Sequence, residues 1–186
     1  MKFVQTAVSR AQKIRLVIFD VDGVLTDGNV YFGVDGELYK PFNCHDGLGI
    51  SLLRRFGIKR AIITGRTSKM LDFRAKELRF DDVQQGHFDK REALRMIQQK
   101  FSMQLDEIAY VGDDLVDLPI MVQVGFAACV GNAVPEVKDH AHLIADAPGG
   151  KGAVREIAEF ILKAQGHWDE VIKEFISPGP IKNLNQ

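Results

Sequence analysis

Two carboxylates follow an apolar run near the start of the chain, in the stretch VIFDVDGVLTDG that covers residues 17–28. The apolar residues 16–19 predict a buried parallel strand, and Asp20 and Asp22 come directly after it. Two ionised carboxylates at a buried strand end are costly unless a positive charge lies beside them. A hard divalent cation such as Mg²⁺ meets this requirement, because it binds a few carboxylates together with other oxygen ligands. The stretch therefore predicts a metal site at the end of this strand.

Other predicted strands also end in polar residues. In a parallel α/β sheet the carboxyl ends of the strands meet at one edge, where such folds bind their ligands. Later strands and the helices after them therefore bring hydroxyl, amine and carboxylate groups to the same edge. These residues are Thr64, Gly65, Arg66, Lys90, Asp113, Asp114 and Asp117. We expect Asp114 and Asp117 to brace the metal site rather than to bind the metal.

This set of side chains suits phosphoryl transfer. We predict Asp20, Asp22 and Asp113 as the metal ligands, and Asp20 also as a nucleophile that attacks phosphorus and forms an aspartyl-phosphate. Asp22 then serves as general acid and base, protonating the leaving alkoxide and later activating water. Thr64 is expected to hydrogen-bond the transferred phosphoryl group, and Lys90 to neutralise its charge.

The elements that must position these residues alternate along the chain. Short apolar runs between helical stretches predict an α/β fold with a doubly wound parallel sheet. The predicted strands cover residues 15–19, 61–63, 82–84, 108–111, 127–130 and 142–144. The predicted helices cover residues 47–56, 68–78, 90–101, 114–122 and 153–164. We expect one domain over residues 1–176, followed by a polar, flexible tail over residues 177–186.

The stretch NVYFGVDGELYKPF, residues 29–42, interrupts this alternation. Two short strand-like runs flank the pair Asp35-Gly36, which favours a type I′ turn, so we predict a β-hairpin inserted after the aspartate-rich loop. Its apolar side chains are too numerous for a solvent-exposed flap, and an edge of this kind pairs most simply with another copy of itself. These side chains are Tyr31, Phe32, Leu38 and Tyr39.

The overall composition argues against several classes of protein. The 186 residues are 46% hydrophobic and 26% charged, as in ordinary globular proteins, and the net charge of −1 does not favour nucleic acid or membrane partners. Two cysteines without a CxxC pair favour a reducing compartment. Residues 1–15 lack the apolar core of a signal peptide, and no run reaches membrane-spanning length. We therefore expect a cytoplasmic protein that acts on a small molecule.

Four motifs, in this order, resemble those of the haloacid dehalogenase superfamily of phosphatases. They are FDVDG at residues 19–23, ITGR at 63–66, the isolated Lys90, and GDDLVD at 112–117. The resemblance spans residues 16–162 and is specific, because four spaced motifs agree. It implies the α/β fold of that superfamily. The short stretches between the motifs hold only the hairpin and helices, so we expect no large cap domain.

A finer resemblance is to the capless, tetrameric 3-deoxy-D-manno-octulosonate 8-phosphate phosphatases of lipopolysaccharide synthesis. It rests on FDVDGVLTDG, the hairpin, FNCHDGLGI, ITGRTS and GGKGAVREI. The resemblance implies a homotetramer in which the hairpins form a barrel and neighbouring subunits cover each active site. The oxygen ligands themselves favour Mg²⁺ as the metal, and Mn²⁺ or Co²⁺ can occupy the same site in vitro. The residues implied to contact the phosphorylated keto-sugar acid are Asp22, Asn43, Cys44, His45, Asp46, Gly47, Ser51, Gly65, Arg66, Arg74 and Lys90.

Other functions stay open at this level. A phosphatase for a related nonulosonic acid 9-phosphate would keep the same motifs, although Arg66 favours the octulosonate by resemblance. A phosphomutase would need a cap that excludes water while the sugar turns over. A non-catalytic sugar-phosphate-binding protein predicts loss of motif residues, whereas the aspartates and Lys90 are all intact.

Some smaller patterns have plainer interpretations. Lys151 in GGKG lacks the following Ser or Thr of a P-loop, which favours a flexible helix entry over nucleotide binding. The adjacent pair Cys44-His45 does not suit thiol catalysis, since catalytic Cys and His residues meet across space. His140 and His142 favour a surface strand over a metal site because no third ligand is near in sequence.

Overall fold

The computed structural model describes residues 1–179 of the chain, and residues 180–186 of the predicted tail lie outside the described residues. The strands are β1 Lys2–Phe3, β2 Leu16–Phe19, β3 Tyr31–Gly33, β4 Gly36–Tyr39, β5 Lys59–Thr64, β6 Asp82–Gln85, β7 Ile108–Gly112, β8 Phe126–Cys129 and β9 Leu143–Ile144. The helices are α1 Ala7–Ala11, α2 Cys44–Arg55, α3 Lys69–Glu77, α4 Lys90–Phe101, α5 Leu118–Met121, α6 Pro135–Asp139, α7 Ala153–Ala164 and α8 Trp168–Ile176. Single turns of 3₁₀-helix precede β7 and α5.

Seven of these strands form one sheet, in the order β1-β9-β8-β7-β2-β5-β6. All neighbours are parallel except β1 and β9, so the predicted doubly wound parallel sheet is confirmed. The central strand β2 is buried along its whole length, as its unbroken apolar run predicts. Phe19 at its end aligns with Ile62 of β5 and Val111 of β7. This register brings the polar ends of the three strands to one edge.

Two groups of helices pack beside the sheet. Helix α7 contacts α1, α2 and α8, while α4 contacts α5. The apolar stripe of α7 is buried, as its spacing predicts. The described residues contain no large cap domain over the edge that carries the polar residues, which agrees with the prediction.

The predicted hairpin is present as strands β3 and β4, but its turn is not the predicted one. Gly33 pairs with Gly36, so the loop consists of Val34 and Asp35. A type I′ turn needs positive φ at both central residues, whereas here positive φ occurs at Gly36. The ring of Tyr31 stacks on that of Tyr39 with 4.4 Å between centroids.

Other differences from the predicted elements have local causes. The predicted helix over 114–122 is a 3₁₀ turn, Leu115–Asp117, followed by the short α5, because two carboxylates cap backbone amides there. Helix α2 begins three residues earlier than predicted, since Asn43 caps it. Strand β1 and helices α1, α6 and α8 were not predicted from the sequence.

Candidate active site

A buried lysine connects two of the strand ends. Nζ of Lys90 donates hydrogen bonds to Oδ1 of Asp20 at 2.6 Å, to Oδ1 of Asp117 at 2.6 Å, and to the Tyr110 hydroxyl at 3.1 Å. Lys90 is 2% exposed, and an ammonium group at such depth requires partners of opposite charge. Burial alone would lower the pKa of Lys90, but the charges of Asp20 and Asp117 outweigh it and raise the pKa. The lysine is therefore a fixed cation beside Asp20.

Asp117 uses its oxygens to hold the surrounding groups. Oδ1 also accepts a hydrogen bond from the Tyr110 hydroxyl at 2.6 Å. Oδ2 accepts from the backbone N–H groups of Asp113 at 2.8 Å and of Asp114 at 3.2 Å. Since these bonds occupy both oxygens, Asp117 orients Lys90 and the loop after β7, in agreement with a bracing role. Asp114 is exposed and caps the 3₁₀ turn by accepting from the Leu115 N–H at 2.7 Å.

The carboxylates fit a divalent cation. Oxygens of Asp20, Asp113 and Asp117 lie within 4.8 Å of one another. Oδ1 of Asp113 is buried and has no hydrogen-bond partner among the residues that the structure describes. The other oxygen of Asp113 lies so close to Gly23 that a Cβ there would approach it to 2.0 Å. Because Asp117 is saturated, Asp20 and Asp113 are the side chains available to a hard cation such as Mg²⁺.

The two available carboxyl groups have raised pKa values. Burial raises the pKa of Asp20 to about 7, although the neighbouring Lys90 lowers it in part. Burial, with the added repulsion of Asp20, raises the pKa of Asp113 to about 8. Without a cation, the carboxyl groups of Asp20 and Asp113 are therefore partly protonated near neutral pH.

The Asp22 side chain lies apart from this carboxylate group. Its Oδ1 pairs with Nζ of Lys40, and its Oδ2 lies 3.7 Å from Nε of Arg66. The Asp22 carboxylate is thus paired with cations of the protein, and a metal-binding role of Asp22 stays a prediction. Lys40 also lies 3.3 Å from Glu37 of β4. Sequence analysis did not single out Lys40 or Glu37, although charged residues within an otherwise apolar hairpin could have indicated a functional contact.

A cavity of about 160 Å³ opens above these groups. At roughly 30 Å³ for each water of the liquid, it has room for a phosphoryl group. Thr64 reaches it from the end of β5 and is 3% exposed. Phe88 and Val116 give its lining an apolar part. The lining residues are Asp20, Asp22, Thr64, Gly65, Arg66, Phe88, Lys90, Asp113, Asp114 and Val116.

Among the residues predicted to bind substrate, only Asp22, Gly65, Arg66 and Lys90 line this cavity. The stretch over residues 43–47 forms the first turn of α2 instead of a loop. Oδ1 of Asn43 accepts from the N–H groups of His45 at 2.8 Å and Asp46 at 3.3 Å. Ser51 follows on the same helix and is buried. The amide side chain of Asn43 is therefore used within the protein.

Asp46 caps another helix. It is 2% exposed, and its carboxylate accepts from the N–H groups of Gly152 at 3.2 Å and Arg155 at 2.9 Å, at the start of α7. Its hydrogen bonds therefore join α2 to α7. This placement assigns Asp46 to the fold, and it argues against the predicted substrate contact.

Arg74 lies beside a depression that meets the cavity at the ion pair of Lys40 with Asp22, since Lys40 lines the depression and Asp22 lines the cavity. Its Nη1 pairs with Glu77 at 2.8 Å, and its Nη2 donates to the Asn43 carbonyl at 3.4 Å. Gly47 makes room for it, since a Cβ there would meet Nη2 at 2.3 Å. The depression, of about 510 Å³, is also lined by Lys40 and by the predicted residue Cys44. Arg74 and Cys44 therefore face a surface adjoining the phosphate-sized cavity.

The glycine-rich stretch before α7 is not the flexible helix entry predicted from the sequence. The Gly150 N–H donates to the Val24 carbonyl at 2.9 Å. A Cβ at Gly149 would lie 1.7 Å from the Gly23 carbonyl oxygen. The stretch therefore packs backbone against backbone on the loop that carries Asp22, and side chains would not fit.

The two histidines of the HxH pattern contact backbone groups of the fold. Nδ1 of His142 accepts from the Ala127 N–H at 2.8 Å, between two strands. The His140 ring contacts the Glu136 carbonyl at the end of α6. Within residues 1–179, no helix has the length and apolar character needed to cross a membrane.

Comparisons with known proteins agree with this geometry. A family model of haloacid dehalogenase-like hydrolases matches residues 60–157. The chain is 45% identical to the 3-deoxy-D-manno-octulosonate 8-phosphate phosphatase of Yersinia pestis over 85% of this chain and 84% of that protein.

Two solved structures place ligands in similar folds. The 3-deoxy-D-manno-octulosonate 8-phosphate phosphatase of Moraxella catarrhalis, in complex with magnesium, phosphate and KDO, superposes with a TM-score of 0.89 at 41% identity, over 92% of this chain and 99% of that chain. The cobalt-bound deoxy-D-mannose-octulosonate 8-phosphate phosphatase of Haemophilus influenzae superposes with a TM-score of 0.83 at 38% identity, over 84% and 92%. The chain therefore belongs to the haloacid dehalogenase-like hydrolases, in the family of the 3-deoxy-D-manno-octulosonate 8-phosphate phosphatases.

Proposed function

We propose that this protein is a Mg²⁺-dependent phosphatase that converts 3-deoxy-D-manno-octulosonate 8-phosphate into the free sugar acid and phosphate, a step of lipopolysaccharide synthesis. The observation that carries the proposal is the cavity where Asp20, fixed by Lys90, lies beside the unpartnered oxygen of Asp113. The family relatives supply the identity of the sugar acid.

In the proposed reaction, a carboxylate oxygen of Asp20 attacks phosphorus, and the bond from phosphorus to the sugar oxygen breaks. Asp22 donates a proton to that leaving oxygen. Asp22 then takes a proton from water, whose oxygen attacks phosphorus and releases phosphate, so that Asp20 is restored. Mg²⁺ bound by Asp20 and Asp113 supplies positive charge that offsets repulsion between the phosphate and the carboxylates.

The remaining cavity residues position the phosphoryl group. The Thr64 hydroxyl can donate a hydrogen bond to a phosphoryl oxygen, since it lies at the strand end beside the nucleophile. Lys90 stabilises the charge that develops there. Arg66 at the same cavity carries a fork of donors suited to the carboxylate of a keto-sugar acid. We assign Arg74 and Cys44 to the outer part of the substrate surface, because they line the adjoining depression.

We further propose a homotetramer formed through the hairpin of residues 29–42. The support is the exposed apolar surface of the hairpin, where Phe32 is 67% and Leu38 59% exposed. We also propose a cytoplasmic location, which the two free cysteines support, since Cys44 is exposed and unpaired.

The proposal is tested by phosphate release with Mg²⁺ from a panel of phosphomonoesters. The panel contains 3-deoxy-D-manno-octulosonate 8-phosphate, a nonulosonic acid 9-phosphate and hexose phosphates. We expect kcat/KM for the octulosonate to exceed that for the hexose phosphates by at least about 100-fold, because only the sugar acids carry a carboxylate for the arginine partner, and also to exceed that for the nonulosonate. A preference for the nonulosonate would transfer the proposal to that substrate, and equal, weak activity on all esters would contradict it.

A further inference from the structure

The hairpin does more than present an apolar surface, because one of its residues reaches the catalytic loop. Lys40 follows β4 directly, and its side chain is 3% exposed. Its Nζ pairs with Oδ1 of Asp22 and lies 3.3 Å from Oε1 of Glu37. An ammonium group with so little exposure loses most of its hydration, so it is stable only where carboxylates surround it. Lys40 therefore occupies a specific, paired site.

Glu37 is itself fixed at its other oxygen. The Ser68 hydroxyl, which caps the start of α3, donates to Oε2 of Glu37. The Ser68 N–H is held in turn by Oε1 of Gln85 at 2.8 Å. Burial alone would raise the pKa of Glu37, but the Ser68 hydrogen bond and Lys40 outweigh it and lower the pKa. The anchor of Lys40 is thus an ionised carboxylate attached to two elements of the sheet domain, α3 and β6.

Asp22 needs such an anchor. It lies in the loop after β2, next to Gly23, whose φ of +97° places the chain in a conformation that glycine favours. Its carboxylate has Lys40 on one oxygen and Arg66 at 3.7 Å from the other. A general acid must point at the leaving oxygen, and an error of about 1 Å in its position costs a large factor in rate.

From this chain of contacts we infer that Lys40 is the positioning residue of the general acid, holding the Asp22 carboxylate toward the leaving oxygen through the anchor Glu37–Ser68. The inference rests on the proposed phosphatase reaction. It makes the hairpin part of the catalytic apparatus of its own subunit. Displacement of the hairpin would then disturb proton transfer to the leaving group without touching Asp20 or Lys90.

The inference is tested through the acidity of the leaving group. Phenyl phosphate and p-nitrophenyl phosphate have similar shapes, but the nitrophenolate leaves without the help of an acid. We measure kcat/KM for both, with Mg²⁺, for the wild type and for Lys40→Met, since kcat/KM reports phosphoryl transfer to Asp20. We expect Lys40→Met to lose at least about 10-fold on phenyl phosphate and less than about 3-fold on p-nitrophenyl phosphate, a fraction of the usual contribution of a general acid.

Two further variants separate positioning from stability. Lys40→Arg keeps the cation and should restore most of the lost activity on phenyl phosphate. Glu37→Gln leaves Lys40 in place but weakens its anchor, and should show the same selective loss in smaller degree. Lys100→Met is the matched control, because it removes a lysine that is paired with Asp82 away from the cavity. This variant should leave kcat/KM for both esters unchanged.

The possible results are distinct. Equal losses on both esters, with no rescue by Lys40→Arg, would overturn the positioning role, as would unchanged activity of Lys40→Met. If Lys40→Met does not fold, Glu37→Gln decides by the same comparison. If the wild type hydrolyses neither ester nor any sugar phosphate, the proposed function itself fails, and this outcome is separate from an unselective loss in the variant.

Discussion

Burial and the neighbouring Lys90 have opposite effects on the nucleophile Asp20. Burial raises the pKa of Asp20, whereas the 2.6 Å contact with Lys90 opposes that rise. Lys90 keeps two further partners, Asp117 and Tyr110, so it stays in place when Asp20 changes. The carboxylate is thus held in one orientation by a cation that does not depend on it alone.

We predict that Asp20→Asn lowers turnover by more than about 10³-fold, because the amide cannot form the aspartyl-phosphate and no other group replaces a nucleophile. The variant should remain folded, since Lys90 retains Asp117. Phosphate release and circular dichroism measure both effects. Asp27→Asn is the control, because Asp27 accepts from the Asn29 N–H in a turn of the same loop and should keep its activity. Retained turnover in Asp20→Asn, free of wild-type enzyme, would contradict the assigned nucleophile.

Metal binding should depend on pH because Asp20 and Asp113 bind protons at about pH 7 and 8 in the metal-free protein. A cation must displace those protons, so the affinity for Mg²⁺ should rise as the pH increases from about 6 to 9 and then level off. Calorimetric titration in buffers of different ionisation enthalpy should show release of between about one and two protons at pH 7 and almost none at pH 9. Affinity that is constant over this range would contradict the prediction.

The same groups affect stability with a definite sign. The pKa values of Asp20 and Asp113 are raised above the ordinary value of 3.8, so folding favours their protonated forms. Their contribution to the free energy of unfolding is present below about pH 4 and is lost as the pH rises through 7 and 8. In metal-free protein this part of the stability should decrease toward alkaline pH, and added Mg²⁺ should restore it. Thermal denaturation with and without Mg²⁺ measures the difference.

At the scale of elements, local patterns predict much of the architecture, and long-range partners account for what they miss. The apolar run of β2 and the stripe of α7 are signals within a few residues, and both elements are present. Strand β1 has only two residues, and it pairs with β9, which is distant from it in the sequence. Gly149 likewise looked like part of a flexible loop, because its partner Gly23 is distant in sequence.

The candidate site shows the same division between residues that local patterns predict and residues whose partners are distant in sequence. The four motifs contain Asp20, Thr64, Lys90 and Asp113, and all four line one cavity. Asp46 was predicted to bind substrate from the resemblance of the stretch FNCHDGLGI, but its hydrogen bonds reach Arg155, more than a hundred residues away. Periodicity and motif spacing contain no information about such a partner.

We therefore predict that Asp46→Ala lowers the free energy of unfolding by about 1–2 kcal/mol, the usual cost of a lost helix cap, and leaves KM unchanged. Urea denaturation and steady-state kinetics measure the two effects. Asp139→Ala, at the end of α6, removes a carboxylate outside the cavity and serves as the control. A rise in KM of about 10-fold or more at unchanged stability would return Asp46 to the substrate surface.

For the whole molecule, the hairpin poses the main question, because its side chains are too exposed for an isolated chain. Val34 at its tip is fully exposed, and Leu38 is 59% exposed. Burying such a side chain between subunits stabilises an assembly by about 1.5–3 kcal/mol each, and symmetry repeats the gain in every subunit. Phe32 also lies 5.7 Å from the guanidinium of Arg66, so substitutions at Val34 or Leu38 test assembly with less effect on the site.

We predict that the wild type has the mass of four chains in light scattering, and that Val34→Glu and Leu38→Glu have smaller masses, because each would bury a carboxylate without a partner. Val122→Glu places the same charge on an exposed apolar residue outside the hairpin and should leave the mass unchanged. Since neighbouring subunits would cover each cavity, the dissociated variants should also lose activity on the octulosonate more than on p-nitrophenyl phosphate, which needs only the phosphate-sized cavity. A tetramer that persists in both hairpin variants would place the interface elsewhere, and the exposed residues of the hairpin would then require another partner.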